Sequence, residues 1–193
     1  IPLIYFYLSK KINKMYLNDC YIILCLIILQ GIVGWYMVKS GLVNDVTVSH
    51  YRLSIHLIIA FIIIGTLFWL IKNIKRNDNK TFFNFSVTTI PFLILIFLIF
   101  IQIIFGAFVS GLDAGKIYQT WPLMGHSYFP EDINLNNLIN IIDFKSHSLV
   151  QFYHRNLAYL ISIYILFLSF YIYKNKLNDL FYPLRLLIII LFI

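Results

Sequence analysis

The sequence predicts an all-α fold, a polytopic transmembrane helix bundle, and three observations carry this prediction. Of the 193 residues, 61% are hydrophobic and only 12% are charged, against about 25% charged residues in soluble domains. The mean hydropathy is +0.83. The apolar residues are gathered into runs of about 20, the length that a helix needs to cross a bilayer. So few charged residues cannot cover this much apolar surface in water. Lipid must therefore cover it.

Four complete spans are predicted, at residues 19–38, 52–71, 85–109 and 149–173. Their central parts contain no charged side chain, which is expected because a charge there costs about 2.5–3.5 kcal/mol. Two shorter apolar runs flank them, at residues 1–8 and 186–193. These runs are expected to be partial spans, so that the chain is a fragment cut inside one span at each end.

Basic residues predict the orientation of the spans. They are concentrated in every second connecting segment, at Lys10, Lys11, Lys14, then Lys72, Lys75, Arg76, Lys80, then Lys174 and Lys176. By the positive-inside rule these segments face the cytoplasm or the mitochondrial matrix. Loops 39–51 and 110–148 are then expected on the outer side. The net charge of +7 follows from this topology and does not indicate a nucleic-acid partner.

The outer loop 110–148 is long for a connection without regular structure, and such loops are usually functional or disordered. Its first part is rich in glycine and aromatic residues and is expected to be an ordered lid on the membrane surface. Residues 131–140 are expected to be a flexible or helical connector. Asp113, Tyr118 and Trp121 would either border a cofactor or anchor the lid, and the sequence does not decide between these roles.

A repeated sequence pattern lies at the outer ends of the first and third spans. The segments are QGIVGWYMVKSGL (residues 30–42) and QIIFGAFVSGLDAG (residues 102–115). Each has glutamine, then glycine four residues later, then Ser-Gly-Leu. The helix after each outer loop carries a histidine near its outer end. Such repeats are common both in transporters and in bundles that bind cofactors.

The two histidines within spans, His56 and His154, are the candidate ligands. Each is predicted about one turn below the outer end of its helix, with an arginine nearby, Arg52 or Arg155. An imidazole is a common axial ligand of haem iron, and a guanidinium can pair with a haem propionate. The alternative is that these histidines are interfacial polar residues and that the arginines extend to lipid headgroups.

Small residues support the interpretation of a haem site. Ala60 and Ala158 lie four residues deeper than the histidines on the same helix faces, where they would leave room for a flat macrocycle. The remaining histidines, His50, His126 and His147, have no metal-ligand neighbour at a recognisable spacing and are expected to be solvated.

Four motifs together resemble the haem A synthase family, in its mitochondrial and alphaproteobacterial type. They are QGIVGWYMVKSGL, HYRLSIHLIIAF, GAFVSGLDAGKIYQTWPLMG and QFYHRNLAYL, in this order between residues 30 and 160. The resemblance implies an integral protein of the bacterial cell membrane or the mitochondrial inner membrane. It also implies an oxidoreductase that converts the C8 methyl group of haem O to a formyl group, giving haem A for cytochrome oxidase.

The resemblance also implies an architecture of eight helices in two four-helix halves. Residues 1–80 would be the C-terminal part of the first half, and residues 81–193 the N-terminal part of the second half. His56 would ligate the iron of the substrate haem O, and His154 the iron of a haem b. Arg52 and Arg155 would bind the propionates. Haem O synthase, cytochrome oxidase assembly proteins and lipid would be partners, and a homo-oligomer is compatible with this reading.

The chain departs from the family pattern in what it lacks. The second ligand of each haem and the acidic residue implicated in catalysis are expected before residue 1 or after residue 193, so the fragment alone is expected to be inactive. A b-type cytochrome that only transfers electrons remains an alternative, because its ligands would be the same. A transporter is disfavoured because the spans show no midplane Gly or Pro breaks.

Overall fold

The computed structural model describes residues 2–41, 48–76, 85–133 and 141–191. Over these residues the chain is all-α, as predicted, and contains no β-strand. The helices are α1 (Pro2–Leu8), α2 (Leu17–Gly41), α3 (His50–Arg76), α4 (Ile90–Gly111), α5 (His147–Lys174) and α6 (Phe181–Leu191). Short 3-10 turns at Lys14–Tyr16, Ala114–Lys116 and Asn178–Leu180 accompany them.

Helices α2 to α5 are long and apolar enough to cross a membrane, which confirms the four predicted spans. At most 17% of the most apolar stretch of each helix is buried within the chain. Lipid or further protein must therefore cover the rest, since apolar surface of this extent is not stable in water. The chain is a multi-pass membrane protein.

The start of the third span was predicted at Phe85, and this was wrong by five residues. Helix α4 begins at Ile90. Residues 86–89 form a turn instead, in which the Ser86 N–H donates to the Thr89 hydroxyl oxygen at 3.0 Å. Hydroxyl side chains compete in this way with helical hydrogen bonds. Pro91 is tolerated in the first turn of the helix, where no backbone donor is needed.

The chain divides into two compact units, residues 1–84 and 85–193. In the first unit, α2 and α3 pack as an antiparallel hairpin. Tyr16, Ile23 and Leu70 form its buried cluster. The Tyr16 hydroxyl donates to the Asn73 carbonyl oxygen at 3.3 Å.

In the second unit, α4 and α5 form a similar hairpin. Leu95, Ile165 and Leu168 are the buried residues between them, and apolar side chains of α6 pack against this cluster. Each unit therefore presents one complete hairpin of two spans. The assignment of residues 1–80 and 81–193 to the halves of an eight-helix protein stays a prediction.

Candidate functional site

In the first unit, His56 on α3 faces α2. The His56 ring Nε2 lies 3.1 Å from the side-chain Nε2 of Gln30. A Cβ atom on Gly34 would lie 3.0 Å from the ring Cε1, which is closer than side-chain contacts normally allow. The imidazole therefore lies between an amide and a helix backbone, and the absence of a side chain at Gly34 makes that approach possible.

The second unit repeats this arrangement on α4 and α5. The Gln102 side-chain Nε2 lies 3.5 Å from the His154 ring Nε2 and also donates to the His154 carbonyl oxygen at 3.3 Å. A Cβ atom on Gly106 would lie 3.3 Å from the His154 Cε1. The two hairpins thus hold their histidines by the same two residue types, glutamine and glycine, although the amide of the second glutamine has two acceptors.

Each of the two imidazoles keeps one nitrogen that no protein group satisfies. Among the described residues, Nδ1 of His56 and of His154 is buried without a hydrogen-bond partner, as is Oε1 of Gln30 and of Gln102. Most buried polar atoms in proteins have a partner. A neutral imidazole is a common ligand of haem iron, and the two histidines occupy equivalent positions in the two hairpins. The residues therefore fit an axial haem ligand.

Both histidines lie deeper than the single turn that the sequence predicts. His56 is the seventh residue of α3, and His154 is the eighth residue of α5. At about 1.5 Å per residue they are roughly 9 and 10.5 Å from the helix starts. The difference arises because α3 and α5 begin at His50 and His147, two residues before the predicted spans. Their depths still match closely.

The two predicted propionate ligands have different surroundings. The Arg52 guanidinium lies over the Tyr36 ring of α2, with Cζ 5.1 Å from the ring centroid. Arg155 instead donates to two carbonyl oxygens of the outer loop, that of Tyr118 at 2.6 Å and that of Thr120 at 2.8 Å. In the first unit, Arg52 and His56 thus both contact α2. In the second unit, Arg155 contacts the outer loop, whereas His154 contacts α4.

Gln151 also fastens the outer loop to α5. Its Oε1 accepts the Tyr118 N–H at 3.2 Å, and its Nε2 donates to the Tyr118 carbonyl oxygen at 2.9 Å and to that of Gly115 at 3.4 Å. The side chain is only 5% exposed. Gln151 and Arg155 are four residues apart, on one face of α5, and together they hold residues 115–120.

A second attachment runs through Asp132. Its Oδ1 accepts the Tyr118 hydroxyl at 3.0 Å, and its Oδ2 accepts the Ser148 hydroxyl at 2.7 Å. Burial, followed by the hydrogen bond to Asp132, raises the pKa of the Tyr118 hydroxyl. This hydroxyl therefore stays protonated and remains a donor to the carboxylate. Tyr118 therefore attaches the first part of the loop to α5, and its role as a lid stays a prediction.

The other loop residues singled out in the sequence have smaller roles here. Asp113 forms an ion pair with Lys116 at 2.9 Å, with both side chains more than 70% exposed, and such surface pairs contribute little. Trp121 is 74% exposed. Of the predicted connector 131–140, residues 134–140 lie outside the described residues.

One of the three loop histidines is not solvated as predicted. His50, the first residue of α3, is only 8% exposed, and its ring packs on Tyr51 with centroids 4.1 Å apart. His126 and His147 are exposed, as predicted.

The sequence did not predict the contacts of Gln30, Gly34, Gln102 and Gly106 with the two imidazoles. The signal was nevertheless present, because the repeated pattern places glutamine and glycine four residues apart in both outward-running helices. Four residues is just over one helical turn, so both side-chain positions lie on one face. A histidine near the outer end of each following helix is the residue that this face meets.

Replacing Gln151 with leucine is expected to release the lid from α5. The change leaves the Tyr118 N–H without its partner, at a cost of about 1–3 kcal/mol, and removes one of the two donors to the Tyr118 carbonyl oxygen, the other being Arg155. Hydrogen exchange of the Tyr118 amide should then accelerate by about 5- to 150-fold. The matched control is Gln119→Leu, because Gln119 is exposed and its exchange pattern should stay as in the parent. Unchanged exchange in Gln151→Leu would show that these contacts do not hold the lid.

Comparison with known proteins identifies the family of the chain. A family model named COX15-CtaA and described as "Cytochrome oxidase assembly protein" matches residues 1–193. A protein of Pelagibacter ubique called "Heme A synthase" is 44% identical over all of this chain and 56% of its own length. Proteins with the same name from Wolbachia sp. subsp. Brugia malayi and Rickettsia bellii are 43% and 42% identical, over 84% and 91% of this chain.

The chain spans about half the length of the curated relatives that it matches, between 49% and 56% for the three proteins above. No solved structure matches it. The two hairpins described above show how this sequence arranges its candidate ligands.

Proposed function

This chain belongs to the COX15-CtaA family of cytochrome oxidase assembly proteins, and from this premise we propose that the whole protein is a haem A synthase. It is an oxidoreductase that oxidises the C8 methyl group of haem O to a formyl group by successive hydroxylations, supplying haem A to cytochrome oxidase. One observation carries the proposal at the level of this chain. In each of two hairpins, a histidine lies between a glutamine and a glycine, and one of its ring nitrogens is buried without a partner among the described residues.

The two histidines have separate roles in this proposal. His56 ligates the iron of the substrate haem O, and His154 ligates the iron of a haem b. When bound, haem b supplies one-electron transfer. Each iron takes a second ligand from a part of the protein outside this chain. The acidic group that the reaction needs also comes from outside this chain. Since the chain spans about half of its relatives, we do not expect it to be active by itself.

Arg52 and Arg155 bind propionates in this proposal. Arg52 lies one turn above His56 on the same face of α3 and already stacks on an aromatic ring, a setting that favours a guanidinium. Arg155 uses two N–H groups on loop carbonyl oxygens. A guanidinium has five N–H donors, so donors remain for a carboxylate. Arg155 would then link a propionate to the lid.

The proposed location follows from the distribution of basic residues. The protein lies in the bacterial cell membrane or the mitochondrial inner membrane, with loops 39–51 and 110–148 on the outer side, because basic clusters occupy the other connecting segments. Haem O, membrane lipid, haem O synthase and the cytochrome oxidase assembly machinery are the proposed partners, with no role for nucleic acid. Self-association into a homo-oligomer is compatible with the exposed apolar faces.

Extraction and chromatography of the bound haem test the proposed reaction. The whole protein, purified from cells that make haem O, should release haem B together with haem O, a hydroxylated intermediate or haem A. This mixture is expected because the substrate and product share one site. Purification from cells that lack haem O is the control and should yield haem B alone. Haem B as the only haem under both conditions would indicate an electron-transfer cytochrome instead.

A further inference from the structure

We propose that the basic end of the first hairpin, where α2 begins and α3 ends, is a binding site for the headgroup of an anionic phospholipid. Six basic residues lie at this end, and they are Lys10, Lys11, Lys14, Lys72, Lys75 and Arg76. The inference concerns lipid recognition by the first unit and does not depend on which groups bind haem.

A buried contact brings the two basic segments of this end together. The Tyr16 hydroxyl donates to the Asn73 carbonyl oxygen at 3.3 Å, although the two residues are 57 positions apart in the sequence. The Tyr16 ring belongs to the buried cluster of this unit. Lys14 is two residues from Tyr16, so their Cα atoms are at most about 7.6 Å apart, and Lys72 precedes Asn73 directly. The fold therefore gathers cations from both segments onto one end of the hairpin.

These cations have almost no negative charge near them in the described part of the first unit. All six side chains are exposed. Over residues 2–41 and 48–76 the single carboxylate is that of Asp19, and the ion pair found among the described residues, Asp113 with Lys116, lies in the second unit. Like charges closer than the screening length of about 10 Å repel each other. An anion bound between them would relieve this repulsion.

The surroundings of the cations favour a lipid as the source of that anion. The Lys72 Nζ lies 5.6 Å from the centroid of the Phe68 ring, one turn back on α3, so its stem follows the apolar helix surface and its charge lies towards the helix end. Ile71 and Ile74, beside the cations in the sequence, are 52% and 50% exposed. A phospholipid offers a phosphate to the cations and acyl chains to the apolar residues below them. Basic pockets at the ends of membrane helices bind anionic headgroups in this way.

Arg76 adds geometric selectivity for a phosphate group. Its planar guanidinium can donate two parallel N–H groups to two phosphate oxygens, whereas the lysines act as point charges. A zwitterionic headgroup carries its own cation and would be repelled by this end. The site should therefore discriminate between lipids by net charge.

The test measures lipid binding to the whole protein in detergent micelles. The protein is titrated with phosphatidylglycerol, which is anionic, or phosphatidylcholine, which is zwitterionic, and bound lipid is counted by native mass spectrometry. The parent protein should bind phosphatidylglycerol more tightly. The double variant Lys14→Gln with Lys75→Gln should bind it about 25-fold more weakly, because each cation near an anionic lipid contributes about 5-fold. Its affinity for phosphatidylcholine should not change.

A matched control removes the same charge from the second unit. Lys174→Gln with Lys176→Gln also takes away two exposed lysines at a helix end, and it should leave phosphatidylglycerol binding as in the parent. Lys14→Arg with Lys75→Arg keeps the charge and should retain the preference. If the double glutamine variant does not fold, Lys14→Gln and Lys75→Gln are measured singly, and each should weaken binding about 5-fold.

Three outcomes would overturn the inference. Equal binding of the two lipids by the parent would do so and would leave an acidic protein surface as the partner of these cations. Equal weakening in the Lys174 and Lys176 variant would show a general charge effect without a site. Displacement of phosphatidylglycerol by an equal concentration of inorganic phosphate would show that the acyl chains contribute nothing. Because lipid binding is measured without haem chemistry, none of these outcomes bears on the proposed reaction, which the haem extraction tests separately.

Discussion

Replacing His154 with alanine in the whole protein should remove one low-spin haem and leave the other in place. The His154 ring is the nitrogen donor that the second hairpin offers at this depth, held at Gly106 and Gln102. Alanine supplies no lone pair, so the iron loses an axial ligand. Optical and EPR spectra, with haem quantified per polypeptide, measure the effect. Because haem b relays electrons in the proposed reaction, haem A formation should stop.

The control for this experiment is His147→Ala. His147 is the first residue of the same helix and is exposed, so its removal should change neither haem content nor spectra. Full haem content in His154→Ala would contradict the assignment of this ligand. Both variants remove an imidazole from α5, so a difference between them reports the position and orientation of the His154 ring.

Replacing Gly34 with alanine should displace the His56 ring and weaken binding of the substrate haem. The new methyl group would lie 3.0 Å from Cε1, so the imidazole or the two helices must move apart. Overpacking of this kind costs about 1–3 kcal/mol, which exceeds the gain of about 0.5–1 kcal/mol from replacing a helical glycine. Thermal unfolding of the purified protein and its haem O content provide the measurements. Both should fall.

Substitutions at two other glycines should have smaller effects than Gly34→Ala. At Gly31, one turn earlier on α2, an added Cβ would meet no atom within 4 Å. Gly31→Ala should therefore be neutral or slightly stabilising. Gly106→Ala should have a smaller effect than Gly34→Ala, because its contact distance to His154 is 3.3 Å. If Gly34→Ala and Gly31→Ala unfold at the same temperature with the same haem content, the close approach of ring and glycine does not matter.

For the outer loop, composition predicted part of the structure but not the contacts that hold it. Glycine and aromatic content predicted an ordered lid, and hydrogen bonds join residues 115–120 of this segment to α5. Composition could not show what holds the lid, because those contacts come from Gln151 and Arg155 on a helix more than 30 residues away. Composition likewise missed the turn at residues 86–89, where hydroxyl side chains form hydrogen bonds just before α4 begins.

The sequence by itself determined that the described residues include four helices long and apolar enough to cross a membrane and that two histidines lie at similar distances from the starts of their helices. Bilayer thickness sets the length of an apolar span, so these features can be read without knowing any contact. Only the tertiary structure decided that Gln30 and Gly34 meet His56, and that Gln102 and Gly106 meet His154. The spans are apolar around most of their circumference, and hydrophobic periodicity then says little about which face meets a neighbour. Rotation and register of the paired helices supply that information.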